Sequence, residues 1–321
     1  MKNLFAAAIA AIALAACSAQ TSDSKPDAVS SDEPAPASTS GSTDELRDIK
    51  KGDGPAIWVA SDDDTKIYLF GTVHVLPPDL KWRTPAFDAI FDEADTVYFE
   101  ADVDDQSPQM AMLVTKLGTM PPGETLFDLL NADDKAELLA AAAEVNIPAA
   151  SLSRLRPWLV AIMISMQYIV AEGQDPNSGV EMTLLPEARA EGKTVRFFET
   201  TEQQLRFMAD LPDDVQVEFL MEGVRQIKDI PDFIERMDQA WVNGDVEALD
   251  ELIVADQSFS APEVYEAMLA GRNRNWSDEL AKLAKDEAGD FFIAVGAAHL
   301  AGEDSVVKML EKGGMKVDRL Q

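Results

Sequence analysis

The sequence predicts an α/β fold: a mainly parallel, mixed central sheet flanked by helices, with a large helical insertion between two strand-containing halves. Two observations predict it. Strand-like and helix-like segments alternate at both ends of the 321-residue chain, the pattern of a parallel sheet with crossover helices. Between them, from Ser107 to about Trp276, the pattern is almost wholly helical.

AIWVAS and KIYLFG, between Gly54 and Gly71, read as short strands separated by the turn-forming SDDDT. Thr84-Pro85 opens a helix with Phe87, Ile90, Phe91 and Ala94 on one face, the proline sitting in the first turn where its missing donor is harmless. DTVYFEAD is the next strand and ends in Glu100. Helix starts are marked at Ser107-Pro108, Asn131, Arg156-Pro157 and Ile230-Pro231, and helix stops at Gly118, Gly173, Gly192 and Gly244. One strand, KTVRFFET at 193–200, interrupts this region and ends in Glu199. A helix from Ser277 to about Ala288, the strand DFFIAVG, a helix near Asp304 to Lys312 and a final strand MKVDRL complete the chain.

The helix PWLVAIMISMQYIVAEG, from Pro157, is apolar almost all round. It is shorter than the ~20 residues a bilayer span needs, which makes it a buried core helix. The sharper alternative makes it the wall of a binding groove. Met163, Met166 and Met182 read as core filler.

Residues 1–17 carry one basic residue, Lys2, then an apolar run from Leu4 to Ala16: a secretory signal rather than a membrane span. Leu14-Ala15-Ala16-Cys17 has the form of a lipobox, in which Cys17 is lipidated and becomes the first mature residue. An ordinary signal cut after Ala13-Leu14-Ala15 is the alternative. The lipobox gives the sole cysteine a role, and one cysteine permits no intrachain disulfide. Residues 18–50 are dominated by Ser, Asp, Pro, Ala and Thr and form a disordered tether, because they cannot bury enough surface to offset chain ordering. Residues 51–321 form the folded domain, with its helical insertion at about 105–275. The expected location is the cell envelope, facing the periplasm, with membrane contact through the lipid anchor only. Ser18, where Asp would be a retention signal, favours the outer membrane.

A net charge of −31 argues against nucleic acid as a partner, because polyanion binding depends on Lys and Arg displacing counterions. The acidic surface favours solubility and raises the local cation concentration.

The chain has only two histidines, and each lies three residues after a glycine at the end of an apolar run: Gly71-Thr-Val-His74 and Gly296-Ala-Ala-His299. With glycine at roughly 7% of residues, that coincidence has a probability of roughly 0.5%. The two segments read as one device used twice. Gly71 and Gly296 let the backbone take unusual dihedrals or approach a neighbour closely, so that each histidine turns back over the sheet edge. Four apolar strands in all run into polar residues, the other two into Glu100 and Glu199. Ligands of a parallel α/β sheet bind at that carboxyl edge. Two imidazoles and at least one carboxylate therefore point at a common place, a donor set that suits a borderline divalent ion such as Zn, Mn, Co or Fe. Glu199 is either a support to the site or a simple turn residue.

Several motifs in order then resemble the TraB/GumN family, which includes the Tiki metal-dependent proteases. They are GTVH, the Glu of VYFEAD, LRPW at 155–158, GVEMTLLPEARAEGKTVRFFETTEQQ at 179–204, RNRNW at 272–276 and VGAAHLAGEDSVVKMLEKGGMKVDRL at the end. The resemblance runs from about residue 55 to 321. It implies a divalent metal site of His74, Glu100 and His299, with Arg272 and Asn273 close by. Tiki members imply peptide-bond hydrolysis, and TraB relatives imply restraint of signalling peptides. One position departs from the pattern: the family commonly has GVD where this chain has Gly179-Val180-Glu181.

The leading functional expectation is a divalent-metal-dependent hydrolase, a peptidase acting on peptides or proteins in the envelope. An ion (Mn, Co or Zn) would be held by His74 and His299, with Glu100 as ligand or base. Arg272 would stabilise a developing oxyanion or clamp a substrate carboxylate; the bland alternative is a surface arginine capping a helix that ends near Gly271. Neither an HExxH helix nor a GxSxG elbow is present in the sequence. A non-catalytic envelope protein that sequesters peptides, metal or haem is the alternative function.

Overall fold

The computed structural model describes residues 53–62, 64–102, 107–254 and 261–321. The signal, Cys17 and the tether lie outside the described residues.

Among the described residues six strands form one sheet: β1 (Ile57–Ser61), β2 (Thr65–Thr72), β3 (Thr96–Phe99), β4 (Thr194–Phe197), β5 (Gly289–Gly296) and β6 (Lys316–Arg319). Their order is β4-β3-β5-β2-β1-β6. The pairs β4–β3, β3–β5 and β5–β2 are parallel, while β1 pairs antiparallel with both β2 and β6. The sheet is thus mixed, and β1 alone runs against the rest. The β1–β2 hairpin accounts for it: a connection of a few residues can only reverse the chain, whereas every parallel pair is joined through helices.

Ten helices of seven residues or more surround the sheet among the described residues. They are α1 (Pro85–Glu93), α2 (Pro108–Gly118), α3 (Ala132–Glu144), α4 (Pro157–Ala171), α5 (Val180–Ala190), α6 (Thr201–Ala209), α7 (Asp213–Gln226), α8 (Ile230–Val242), α9 (Gly271–Asp286) and α10 (Val306–Lys312). The polar residues before the prolines work as caps: the Thr84 hydroxyl accepts from Phe87 N, and the Ser107 hydroxyl from Met110 N. Asn131 accepts from Asp133 N and Asp134 N. Gly173 (φ 91°) and Gly192 (φ 75°) follow the ends of α4 and α5 in the left-handed region, where a side chain would be strained.

Strand alternation sends side chains to two cores. Phe70 of β2, Phe99 of β3, and Phe292 and Ala294 of β5 pack with Phe87, Ile90 and Phe91 of α1 and Leu184 of α5 in the larger core. Ile67 and Leu69 of β2 and Phe291, Ile293 and Val295 of β5 pack with Leu280 of α9 and Leu310 of α10 in the other. Both faces of the central strands are covered, which is why they read as continuous apolar runs. Helix α4 lies in the larger core, with Trp158, Val160, Ile164 and Ile169 buried, and packs on α7. It is a core helix, as its all-round apolarity predicts. The helical region forms two excursions, because β4 returns to the sheet beside β3.

One boundary differs from the sequence reading. The helix expected to begin at Ser277 begins at Gly271, directly after a π-helical turn at Glu266–Ala270. Gly271 has helical dihedrals (φ −64°, ψ −42°), and its N–H bonds to the Glu266 carbonyl five residues back. A Cβ there would stand 2.8 Å from that carbonyl oxygen. This glycine lets the helix pass through rather than stop. Arg272 therefore does not cap a finished helix at the surface; it lies in the first turn of α9 and is 3% exposed.

Candidate functional site

The strand order explains why distant residues meet. β2 and β5 are parallel neighbours with Gly71 opposite Val295 and Thr72 opposite Gly296, so the two Gly-x-x-His turns leave the sheet side by side. β3 lies on the other side of β5, with Phe99 opposite Ala294. Glu100 follows it directly. Beyond β4, the Glu199 N–H donates to the Glu100 carbonyl at 2.8 Å. Four strand ends thus line up His74, His299, Glu100 and Glu199 along the carboxyl edge.

The glycines act by close approach, since neither Gly71 nor Gly296 has a positive φ. A Cβ on Gly71 would sit 3.0 Å from Ala297 Cα of the adjoining turn. A Cβ on Gly296 would sit 3.1 Å from Glu100 Oε1, 3.5 Å from His299 Cδ2 and 3.7 Å from His74 Nε2. The missing side chain leaves a cradle on which both imidazoles and one carboxylate converge. The Gly296 N–H also donates to Glu100 Oε1 at 2.7 Å.

Each ring is held from behind. His299 Nδ1 lies 2.5 Å from Asn273 Oδ1, and Asn273 Nδ2 donates to the Asp304 carbonyl at 2.7 Å. The second bond orients the amide, so the network assigns the His299 proton to Nδ1 and a lone pair to Nε2. His74 Nδ1 is 2.9 Å from Glu181 Oε2, an ion-pair contact without hydrogen-bond alignment, and the Thr72 hydroxyl donates to Glu181 Oε1. The segment Gly179-Val180-Glu181 presses on the first turn: the Val180 N–H donates to the Val73 carbonyl at 3.0 Å, and a Cβ on Gly179 would meet the His74 carbonyl oxygen. Glu181, the departure from the family pattern, therefore touches His74 directly.

Arg272 joins the row. Its Nε and Nη2 donate to the Glu199 carboxylate at 2.8–3.2 Å, and Nη2 also donates to Glu100 Oε2 at 2.5 Å. Its Nη1 donates to the Met268 carbonyl at 3.2 Å and lies 3.1 Å from His299 Nε2. The Trp276 indole donates to Glu199 Oε1 at 3.1 Å. His74, Glu100, Glu181, Arg272, Asn273 and His299 are all buried.

Burial and neighbours set the charges. Burial drives the His299 pKa down to about 3, with Glu100 opposing and Arg272 reinforcing, so the ring is neutral at neutral pH. Burial also opposes a charge on His74, but the Glu181 carboxylate outweighs it and the pKa is raised. At Glu100 burial is outweighed by Arg272 and the two histidines, which hold the carboxyl well below the usual carboxylate range. At Glu199 burial wins over Arg272 and the pKa is raised. The two neighbouring carboxyls are thus pushed in opposite directions.

The donor set passes a test of fit for a divalent ion in its chemistry. His299 presents a neutral Nε2 lone pair, His74 Nε2 and Glu100 Oε1 face the cradle, and outer partners fix both rings from behind. The test fails on one count: among the described residues, no three His, Cys, Asp or Glu side chains stand close enough as they lie to hold an ion. His299 Nε2 and Glu100 Oε1 are 3.6 Å apart, and the guanidinium of Arg272 lies against both residues.

Two contributors carry no sequence signal. Trp241 of α8 is 1% exposed and donates its indole N–H to the Gly71 carbonyl at 2.7 Å. Three residues earlier on the same helix, Asp238 accepts from Gln174 Nε2 at 2.7 Å. The next residue, Asp175, bridges to Leu76. Helix α8 therefore braces the His74 turn at both ends. An open groove of about 640 Å³ reaches the site at Glu199 and is lined also by Asp102, Met110, Leu113, Phe197 and Phe198.

An α/β sheet whose adjacent strand ends carry two Gly-x-x-His turns and a buried glutamate defines the class of protein. Residues 56–319 match the model of the TraB/PrgY/gumN family, and the chain belongs to that family. It is similar to the uncharacterized protein YbaP of Escherichia coli (strain K12), with 24% identity over 256 residues, covering 80% of this chain and 92% of that one. The same figures hold for YbaP of Shigella flexneri. No solved structure matches.

Proposed function

We propose that the protein is a divalent-metal-dependent hydrolase acting on peptides or proteins in the cell envelope, exported and anchored through a lipid on Cys17. What carries the reading is the convergence of His74 Nε2, the His299 ring and Glu100 Oε1 on the cradle over Gly296. These three residues would hold the ion, with Mn, Co and Zn all suited to the N and O donors. When bound, such an ion supplies Lewis acidity that polarises a scissile carbonyl and acidifies water.

The chain's own residues do the rest. Asn273 fixes the His299 tautomer and Glu181 orients His74. The dry surroundings of Glu100 strengthen its electrostatic effect. Glu199 lines the groove and holds the Arg272 guanidinium beside the centre. Arg272, held by Glu199, offers a positive charge for a developing oxyanion or a substrate carboxylate.

The test is elemental analysis of the purified full chain, followed by incubation with an unbiased peptide mixture and added Mn²⁺, Co²⁺ or Zn²⁺. Fragments are expected from the wild type with at least one ion and none from His299→Ala. Ion uptake without fragments in any arm would leave a sequestering protein as the better account.

A further inference from the structure

Arg272 has more contacts than an electrostatic helper at the rim requires. Its guanidinium faces the Glu199 carboxylate through Nε and Nη2, Glu100 Oε2 through Nη2, and His299 Nε2 through Nη1. It lies 4.6 Å from the Trp276 ring centroid and 5.4 Å from that of Phe207, which confine it to a slot. The Nε2 lone pair of His299 is an acceptor an incoming cation would use, and it already faces a guanidinium nitrogen; so does Oε2 of Glu100, whose other oxygen faces the cradle. A planar, always charged fork is suited to that task.

We propose that Arg272 is a displaceable internal cation: it covers the ligand faces of Glu100 and His299 and competes with a divalent ion for them, while Glu199 retains it when the ion enters. This rests on the metal reading above. The division of contacts supports it. Glu199 takes three of the guanidinium's contacts, from Nε to both oxygens and from Nη2 to one, so letting go of His299 and Glu100 leaves Arg272 paired and still beside Trp276. The Met268 carbonyl, 3.2 Å from Nη1, offers the freed nitrogen a partner. With the guanidinium in place both buried carboxylates share one cationic partner, which avoids leaving either of them unpaired.

The test is calorimetric titration of the purified full chain with MnCl₂, comparing wild type, Arg272→Met and Arg272→Lys. Removing a positive charge from beside the donors raises Mn²⁺ affinity by at least about tenfold in Arg272→Met. Arg272→Lys keeps the charge but cannot span Glu199, Glu100 and His299 at once, so it also binds tighter than wild type, by a smaller factor. Uptake by the variants alone supports the proposal in its strongest form. Wild-type binding that neither variant improves overturns it and leaves the metal reading intact. A gain in Arg272→Met without one in Arg272→Lys also overturns it, because charge alone would then explain the effect. If no form takes up Mn²⁺, Co²⁺ or Zn²⁺, the metal reading falls and this proposal with it. Should Arg272→Met not fold by circular dichroism, the Arg272→Lys comparison decides.

Discussion

Gly296→Ala separates the needs of the site from the needs of the fold. The backbone at Gly296 has φ −49° and ψ 137°, dihedrals that alanine adopts without strain. The new Cβ would stand 3.1 Å from Glu100 Oε1, 3.5 Å from His299 Cδ2 and 3.7 Å from His74 Nε2. Only the first contact is tight, and it is relieved when one carboxylate oxygen shifts by a few tenths of an ångström. Mild overpacking of this kind costs about 1 kcal/mol, a fall in Tm of ~2–4 °C for a domain this large. The cradle, however, is then filled by a methyl group, and donors that must close to about 2 Å around an ion cannot do so. Thermal melts and MnCl₂ titrations on the same samples should show a small stability loss with an affinity loss of at least ~10-fold, the lower end of what a disturbed outer-shell partner costs. A folded Gly296→Ala protein that binds Mn²⁺ within about threefold of wild type would refute the convergence of donors at this point. Gly71→Ala is the contrasting control: its Cβ would press on Ala297 Cα at 3.0 Å, and main chain yields less readily, so stability falls further.

Three further outcomes are expected. Trp241→Phe deprives the buried Gly71 carbonyl of its donor and should cost about 1–3 kcal/mol in urea unfolding; an unchanged midpoint would show that α8 does not brace the turn. His299 has a folded pKa near 3 against 6.5 unfolded, so the unfolded chain takes up its proton first as the pH falls. Its stabilising contribution is complete above about 6.5 and is lost toward 3, and the stability–pH slope between about 4 and 6 should shrink in His299→Gln. Asp238 runs the other way: burial raises its pKa to about 6, so it favours the native state at low pH and penalises it once ionised. Asp238→Asn should therefore gain about 1–2 kcal/mol at pH 7 and lose that advantage below pH 4, as followed by chemical denaturation.

Much of the architecture was legible because its causes are local. Thr84-Pro85, Ser107-Pro108 and Asn131 sit where hydroxyl and amide oxygens cap α1, α2 and α3. All six strands lie where apolar runs meet turn residues. The paired Gly-x-x-His turns were legible through repetition, and their geometric purpose as close approaches was one of the two readings the sequence left open. Arg272 was harder to place, because Gly271 reads as a stop unless one knows that a π-turn precedes it. Trp241 and the Asp238–Gln174 pair were invisible, since each acts across a separation of 64 residues or more and no local pattern marks such a contact.

By itself, the sequence determined that this is an α/β chain, and that its only two imidazoles stand at strand ends behind glycines, because propensity, capping and periodicity act over a few residues. The tertiary structure alone decided that β5 lies between β2 and β3, which brings His74, His299 and Glu100 together over Gly296. It also decided that Arg272 is buried against Glu100, Glu199 and His299. Strand order and buried charge pairing depend on which distant surfaces exclude water from one another, and that is settled only when the whole chain packs.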